Sequence, residues 1–371
     1  MIQLSPEETL LILGCRPVLA KSDDRRMKRL LEGELDWPFI LWRAETYQTL
    51  PVLRHHIDRL GLEQSLLDYV RDYIENWSAL SEARSIEQYR ELGRLLGLLE
   101  EMGAEYYLMK GAAIAGLVYP DPLIRPMQDV DIMIKPHHAR RVQKAMYGVG
   151  YKHGVFDPKD GRFHHMFRRI TRNTLRHKPA LHSFTKVARI PAPISGSTTP
   201  REWRMRQIKC AFNADGSMSM PVFVDFHISL SAGMDSEDVW RGAIARSLLG
   251  REVNVQSITS MLWFSAARLY QEAFEHHTLK LQMLGDIDRL VAVFEDEIDW
   301  AEFLYLAEKY SLRAPLYYVL EQTCRLNGTP IPQEVIALLG PDQKSRPDDK
   351  DWGDILPQLL SRTIANRFKL A

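Results

Sequence analysis

One segment, residues 105–135 (EYYLMKGAAIAGLVYPDPLIRPMQDVDIMIK), constrains the fold of this chain most. It begins with an aromatic and aliphatic run that ends at Gly111, which is typical of a strand. A helix of small residues follows and stops at the Pro-Asp-Pro turn, residues 120–122. The run QDVDIMIK is again typical of a strand, and an amphipathic helix follows it. This succession of strands and helices predicts a mixed α/β core.

Two aspartates, Asp129 and Asp131, stand one residue apart on the second predicted strand. Side chains at i and i+2 of a strand project from one face, so both carboxylates point at the same place. Two such charges about 5 Å apart repel by ~3 kcal/mol at an effective dielectric near 20. A divalent cation removes that repulsion, and ligation by oxygen alone favours Mg²⁺ or Mn²⁺ over Zn²⁺. Asp225, inside the apolar run PVFVDFHISL, is a candidate third ligand.

Three strand carboxylates around one or two metal ions suit in-line attack on a phosphoryl group. Gly111 lies where a strand turns into a helix, so its backbone can approach a phosphate at the positive end of the helix dipole. Lys110 and Arg125 are candidates to add positive charge there. His227 shares a strand face with Asp225 and is a candidate either to orient that acid or to contact a phosphate, with a packed strand histidine as the alternative.

The segment LMKGAAIAGLVYPDPLIRPMQDVDIMI resembles the signature of the nucleotidyltransferase superfamily that has the DNA polymerase β-type palm. More narrowly, it resembles a group of largely uncharacterised bacterial nucleotidyltransferases. The similarity includes the lysine–glycine start, the YPDP…R loop, the paired acids, VDFHISL and the stretch that begins LGDIDRL, and it covers about residues 85–330.

The resemblance implies an α+β fold, a polymerase β-like palm whose mixed sheet is flanked by helices. It implies metal ligation by Asp129 and Asp131, with Asp225 as the third acid, and a phosphate-contacting turn at Gly111. Ala112 stands where many members have serine or glycine against the triphosphate. The implied cofactor is Mg²⁺ or Mn²⁺, and the implied substrate is an NTP, with ATP as the expected nucleotide. The residues predicted to contact the nucleotide are Lys110, Gly111, Ala112, Arg125 and His227.

A basic segment, Arg162–Lys209, contains twelve Arg or Lys residues and one acid, Glu202, so it has a surplus of eleven positive charges. Aromatic residues lie among these charges. One interpretation is a clamp for a polyanion, such as a nucleotide, an RNA end or an acidic protein segment. The alternative is a solvated face that pairs with acids elsewhere, such as EDEID at residues 295–299.

A second Asp-x-Asp pair, Asp286 and Asp288, lies in a helical pattern, where residues i and i+2 point apart. It is therefore interpreted as a pair of capping or surface acids and not as a second metal site.

The pattern of periodicity predicts a helical region at residues 1–84, a catalytic core at 85–235 with a basic insert at about 155–215, and a helical domain at 236–371. In the first helix, Ser5 and Glu8 are placed to form a capping box. The chain has 48 basic and 48 acidic residues and three widely spaced cysteines, and no apolar run approaches the roughly 20 residues of a membrane helix. These features indicate a cytoplasmic protein without a disulfide framework.

Together, the residues and the resemblance predict a nucleotidyltransferase that moves an NMP from an NTP to an acceptor hydroxyl or other nucleophile and releases pyrophosphate. The acceptor is left open among an RNA end, a peptide or protein and a small molecule, and so is the oligomeric state. One alternative is kinase-like phosphoryl transfer on the same scaffold. The other is a non-catalytic protein that binds RNA or another polyanion on a degenerate palm.

Overall fold

The computed structural model describes residues 4–166, 180–194, 208–231, 234–248, 250–274 and 279–340. The N-terminal part is helical, and its helices are α1 (Pro6–Leu13), α2 (Lys21–Leu31), α3 (Trp37–Thr46), α4 (Leu50–Leu60) and α5 (Asp68–Glu101). The predicted capping box is confirmed, because the Glu8 N–H donates to Ser5 Oγ (3.2 Å) and the Ser5 N–H donates to Glu8 Oε2 (2.8 Å). None of the helices in the described ranges is both long and apolar enough to cross a bilayer.

A seven-stranded mixed sheet forms the centre of the described structure. Its strands are β1 (Tyr106–Leu108), β2 (Val130–Ile134), β5 (Phe184–Pro191), β6 (Ala211–Phe212), β7 (Ser217–His227), β8 (Ile244–Leu248) and β9 (Arg251–Val255). The order is β5-β7-β2-β1-β9-β8, with β6 also paired to β7. β2 runs parallel to β7 and antiparallel to β1. A separate hairpin contains β3 (Gly154–Asp157) and β4 (Arg162–His165).

Helices flank this sheet and continue beyond it. They are α6 (Lys110–Val118), α7 (Ala139–Gly148), α8 (Ser236–Trp240), α9 (Ile258–Phe274), α10 (Leu281–Val293), α11 (Trp300–Lys309), α12 (Arg313–Asn327) and α13 (Gln333–Leu339). Short 3₁₀ turns occupy Glu63–Ser65, Pro122–Ile124, Pro136–His138 and Glu295–Glu297. One core cluster joins the sheet to α6 and the end of α5, and includes Ile132, Phe226, Ile114 and Leu96. The other joins the N-terminal helices to α9–α13.

The prediction that residues after 236 are helical is wrong for the β8–β9 hairpin, which adds two strands to the sheet beside β1. These strands are only five residues long, and charged residues interrupt the alternation of apolar and polar side chains along them. The period-2 signal of a strand is therefore weak there. Within the predicted helical domain, the helix that begins at Ile258 ends at Phe274, and the next described helix begins at Leu281. α5 runs without a break through the predicted boundary at 84/85. The division into domains stays a prediction.

Candidate active site

Two of the predicted acids lie side by side on neighbouring parallel strands. Asp131 of β2 and Asp225 of β7 are direct partners in the strand register. Asp131 is buried, with 3% of its surface exposed, and Asp225 is half-buried. Asp129 comes one residue before β2 begins and is also half-buried. The fold therefore brings together three carboxylates that are separated by up to 96 residues in sequence.

Two basic side chains contact Asp131. Lys110 Nζ donates to Asp131 Oδ1 at 2.7 Å, and His227 Nε2 lies 2.7 Å from the same oxygen. Lys110 Nζ and His227 Nε2 are 3.2 Å apart. Burial alone raises the pKa of Asp131, but the charge of Lys110 and the hydrogen bond from His227 outweigh burial and hold this pKa well below its usual range. The imidazole therefore contacts Asp131 and not Asp225, whose orientation was one of the roles that the sequence left open for it.

Lys110 has a backbone φ of 52°, in the left-handed region. A non-glycine residue is uncommon there, and such strain is often retained at functional sites. This conformation places the first residue of α6 where its ammonium group reaches the acids of β2.

Asp129 and Asp225 are less well neutralised than Asp131. Burial, together with the negative charges of Asp131 and Asp225, raises the pKa of Asp129 to about 7. Burial and the charge of Asp131 likewise raise the pKa of Asp225, although a hydrogen bond with Ser183 lowers it. Asp225 Oδ1 is buried and has no hydrogen-bond partner in the described part of the chain. The described side chains around the three acids therefore do not fully neutralise their negative charge.

A divalent cation fits this group. One ligand atom from each of Asp131, Asp225 and His227 lies within 4.8 Å of the others. An ion held by carboxylate oxygens would satisfy the unpartnered Oδ1 of Asp225 and remove the repulsion that raises the pKa of Asp129. Oxygen donors from two or three carboxylates are the preferred ligands of Mg²⁺ and Mn²⁺.

A cleft opens beside the acids. Its lining includes Lys110, Gly111, Asp129 and Asp131 near the acids, and Phe264, Arg268, Lys280 and Gln282 from the C-terminal helices and the segment between them. α6 begins at this cleft, and no side chain of the described residues caps it. The N–H groups of its first turn have no acceptor within the helix and point towards its N-terminal end, where they can bind an anion.

Arg125 lines the cleft but is paired with Asp286, so its charge is not free there, and its predicted contact with the nucleotide stays a prediction. Its guanidinium donates to Asp286 through Nε (2.8 Å) and Nη2 (2.5 Å), and Tyr119 donates to the same carboxylate (2.8 Å). A Cβ at position 111 would lie 2.6 Å from Arg125 Nη1. A side chain at position 111 would therefore displace this guanidinium, whether or not Gly111 also contacts a phosphate.

The predicted contact of Ala112 with the nucleotide stays a prediction. Its side chain is 3% exposed and belongs to the core cluster around the sheet. Only its backbone N–H, in the first turn of α6, is placed to contact a phosphate.

The interpretation of Asp286 and Asp288 as capping or surface acids is wrong. Asp286 is 1% exposed and binds Arg125, whereas Asp288 is 6% exposed and binds Arg16 at 3.1 Å and the Thr329 hydroxyl. Both acids are buried partners in structural networks.

Sequence reasoning missed the side chains that hold the loop before Asp129. From α5, Arg84 Nη2 donates to the Gln128 carbonyl (2.8 Å), and Gln88 Nε2 donates to the Met127 carbonyl (3.3 Å). From α10, Gln282 donates to the Pro126 carbonyl (2.9 Å). Burial lowers the pKa of Arg84 to about 10 against the opposing effect of Asp129. A buried arginine or glutamine within a helical pattern gives no local sequence signal of such a contact.

The far side of the cleft carries a second group that was missed. Glu272 is 7% exposed and binds Arg268 Nη2 at 2.6 Å and Lys280 Nζ at 3.3 Å. One buried acid therefore holds two cations in the lining of the cleft, and the three side chains together have a net charge of +1.

Most of the basic segment lies outside the described residues, including the basic positions 168, 169, 172, 176, 178, 201, 204 and 206. In its described part, Lys186 binds Glu91 at 2.9 Å, Arg162 lies 3.9 Å from Asp160, and Arg189 binds Asp215. These contacts agree with the interpretation of a paired surface for those three residues. The polyanion clamp stays a prediction.

Residues 33–327 match the model of a family described as uncharacterised nucleotidyltransferase. No curated protein matches the chain. The family match includes the three acids, Lys110 and the cleft, together with most of the helices on either side of the sheet.

Proposed function

The chain belongs to this family of nucleotidyltransferases and is an enzyme of that class, and we propose that Asp129, Asp131 and Asp225 are its catalytic acids. In this proposal the enzyme transfers an NMP from an NTP, with ATP as the expected donor, to a nucleophile and releases pyrophosphate. The scaffold is a polymerase β-like palm in which β2 and β7 carry the acids and α6 faces the triphosphate. The mixed parallel and antiparallel pairing of the central strands supports this scaffold.

Asp129, Asp131 and Asp225 would hold Mg²⁺ or Mn²⁺. When bound, such an ion neutralises phosphate charge and increases the acidity of an attacking hydroxyl. The observation that carries the proposal is the register of β2 and β7, which sets Asp131 directly opposite Asp225 with one buried oxygen unpartnered. A merely structural acid in this position would be expected to have its hydrogen bonds satisfied.

The triphosphate would bind between α6 and the opposite wall. The N–H groups of Gly111 and Ala112 lie in the uncapped first turn of α6. Lys110 reaches the same region and is the cation best placed to exchange Asp131 for a phosphate oxygen. Arg268 and Lys280 face the cleft from the other side. Positioning the reacting groups in this way accounts for much of the catalysis expected in phosphoryl and nucleotidyl transfer.

Asp225 would accept the proton of the acceptor hydroxyl. Burial and Asp131 raise its pKa, which makes its carboxylate a better base than an ordinary aspartate. Asp131, held by Lys110 and His227, has its pKa lowered and stays ionised. The two neighbouring carboxylates therefore have environments that suit different roles.

Labelled nucleotides test the reaction. The purified chain would be incubated with Mg²⁺, a cell extract and ATP labelled at either the α or the γ phosphorus. Transfer of the α label with release of pyrophosphate is expected. Transfer of the γ label instead would favour the kinase-like alternative.

Each of the four NTPs labelled at the α phosphorus would then be compared, and the size of the labelled product would distinguish an RNA end, a protein and a small molecule. Nucleotide binding that needs no metal, with no pyrophosphate released, would favour a non-catalytic polyanion-binding protein. The same incubation with Asp129→Asn/Asp131→Asn is the control for contaminating activity.

A further inference from the structure

A second group of potential metal ligands lies at the other end of the β1–β2 pair. Glu105 immediately precedes β1, and His137 and His138 belong to the 3₁₀ turn that follows β2. The catalytic acids lie at the start of β2. The four residue-to-residue steps from Asp131 to Lys135 span about 13 Å at the usual rise of a strand, so the two groups cannot share one ion.

The three side chains are close to the geometry of a metal site. His137 Nε2 and His138 Nε2 each lie 4.0 Å from Glu105 Oε2. All three ligand atoms lie within 4.8 Å of one another. Ligands about 2.1 Å from a tetrahedral ion are about 3.4 Å apart, so each imidazole has to move roughly 0.6 Å closer to the Glu105 carboxylate to share an ion with it.

His138 is a buried histidine without hydrogen-bond partners among the described residues. It is 6% exposed, and neither of its ring nitrogens has a hydrogen-bond partner among the described residues. Buried polar atoms are nearly always paired, and leaving one unpaired is unfavourable. Burial, followed by the charges of His137 and Arg141, lowers the pKa of His138. A neutral imidazole is the form that ligates a metal.

A third cluster provides a contrast. Asp157, Asp160 and His164 also bring ligand atoms within 4.8 Å, but their side chains are half- or fully exposed. Asp157 Oδ1 accepts from the Lys159 N–H (2.8 Å), and Asp160 Oδ1 accepts from the Arg162 N–H (2.9 Å). Those two carboxylate oxygens already accept backbone hydrogen bonds within a turn, and no buried side-chain atom of these three residues lacks a hydrogen-bond partner.

We propose that Glu105, His137 and His138 form a second metal site, which binds a transition-metal dication through two imidazole nitrogens and one carboxylate oxygen. Zn²⁺ fits this donor set best, since it accepts imidazole and carboxylate together at about 2.0–2.2 Å, whereas Mg²⁺ prefers oxygen alone. The ion ties the residue before β1 to the turn between β2 and α7. This site is independent of nucleotidyl transfer and of the ion at the catalytic acids.

Zn²⁺ titration of the full chain tests the site, in excess Mg²⁺ so that the carboxylate group is occupied. The wild type is expected to bind one more equivalent of Zn²⁺ than His138→Gln. The His137→Gln variant is expected to bind that equivalent at least about tenfold more weakly. Because His137 has 66% of its side chain exposed, its replacement does not threaten folding. The matched control, His164→Gln, is expected to retain wild-type binding.

Co²⁺ gives a second readout, because its visible absorption distinguishes tetrahedral nitrogen-containing sites from octahedral oxygen sites. A tetrahedral spectrum is expected in the wild type and in His164→Gln, and its loss is expected in His137→Gln. Equal Zn²⁺ stoichiometry and affinity in the wild type and His137→Gln would overturn the proposal. So would a Co²⁺ spectrum that His137→Gln leaves unchanged.

Discussion

The two Asp-x-Asp pairs at 129/131 and 286/288 look alike in sequence but lie in different surroundings. In α10, Asp286 faces Arg125 while Asp288 faces Arg16, so each acid has its own arginine. At the start of β2, the acids converge with Asp225, and Lys110 is the lysine that binds one of them. Side chains at i and i+2 point apart on a helix, as at 286/288, but project from one face of a strand, as at 129/131. The secondary structure therefore decides whether two such charges are separated or brought together. A separated pair can be neutralised by the protein itself, whereas a converging one calls for a cation.

The largest effect is expected from removing the converging charges. Asp129→Asn/Asp131→Asn is expected to lower the rate of nucleotidyl transfer by about a thousandfold or more, since groups that act as a unit are lost together. Release of pyrophosphate and transfer of an α label would be measured, with circular dichroism as the check on folding. The matched variant of the other pair, Asp288→Asn, should keep its activity per folded molecule. Comparable activity losses in both variants would contradict the distinction between the pairs.

The helical pair should instead control stability. Asp286→Asn leaves the buried guanidinium of Arg125 without its ion pair, and breaking such a buried pair costs about 3–5 kcal/mol of the free energy of unfolding. Urea denaturation measures this loss. Replacing both partners, as Arg125→Met/Asp286→Leu, should recover part of it, because no unpaired charge remains. A loss below about 1 kcal/mol in Asp286→Asn would mean that solvent already screens this pair.

Local patterns in the sequence were enough to predict the acids and part of the core. Strand, glycine, helix and strand between residues 105 and 135 are each specified by neighbouring residues, so β1, α6 and β2 follow from periodicity. The predicted mixed α and β composition is confirmed. The predicted family is confirmed over residues 33–327. The metal-binding roles of the acids stay predictions.

What the sequence could not give depends on contacts between distant residues. Arg125 looked available for a phosphate, because its partner Asp286 is 161 residues away. For the same reason Asp286 looked like a surface acid. Arg84, which holds the loop before Asp129, lies on a helix whose pattern says nothing about which loop packs against it. Charge pairing across the fold is set by packing, and a single sequence does not encode it in any short pattern.

Lys110 is a cation of the protein itself that pairs with Asp131, one of the converging acids. A metal ion at these acids competes with its ammonium group. Lys110→Met should tighten the binding of Mg²⁺ without nucleotide, because the ion no longer competes with a lysine. The same change should raise the KM for the NTP by about tenfold, since a charge-assisted contact with phosphate is lost. Mg²⁺ calorimetry and initial rates measure the two effects. The two changes have opposite signs, so a general loss of structure cannot produce both.

The smallest effect concerns the pH dependence of stability in the ion-free protein. The pKa of Asp129 is about 7 in the folded chain and ordinarily about 3.9 in an unfolded one. Between these values the folded state holds a proton that the unfolded state has released, so the free energy of unfolding falls as pH rises from about 4 to 7.

Asp129→Asn removes this contribution and should make the decline shallower, by on the order of 1 kcal/mol after allowing for solvent screening of a half-buried group. Urea titrations in EDTA at pH 5 and pH 8 measure it. At pH 8, Mg²⁺ should stabilise the wild type more than the variant, because the variant keeps Asp131 and Asp225 but lacks the third converging charge. Parallel declines in both proteins, with and without Mg²⁺, would show that Asp129 is as well neutralised as Asp286.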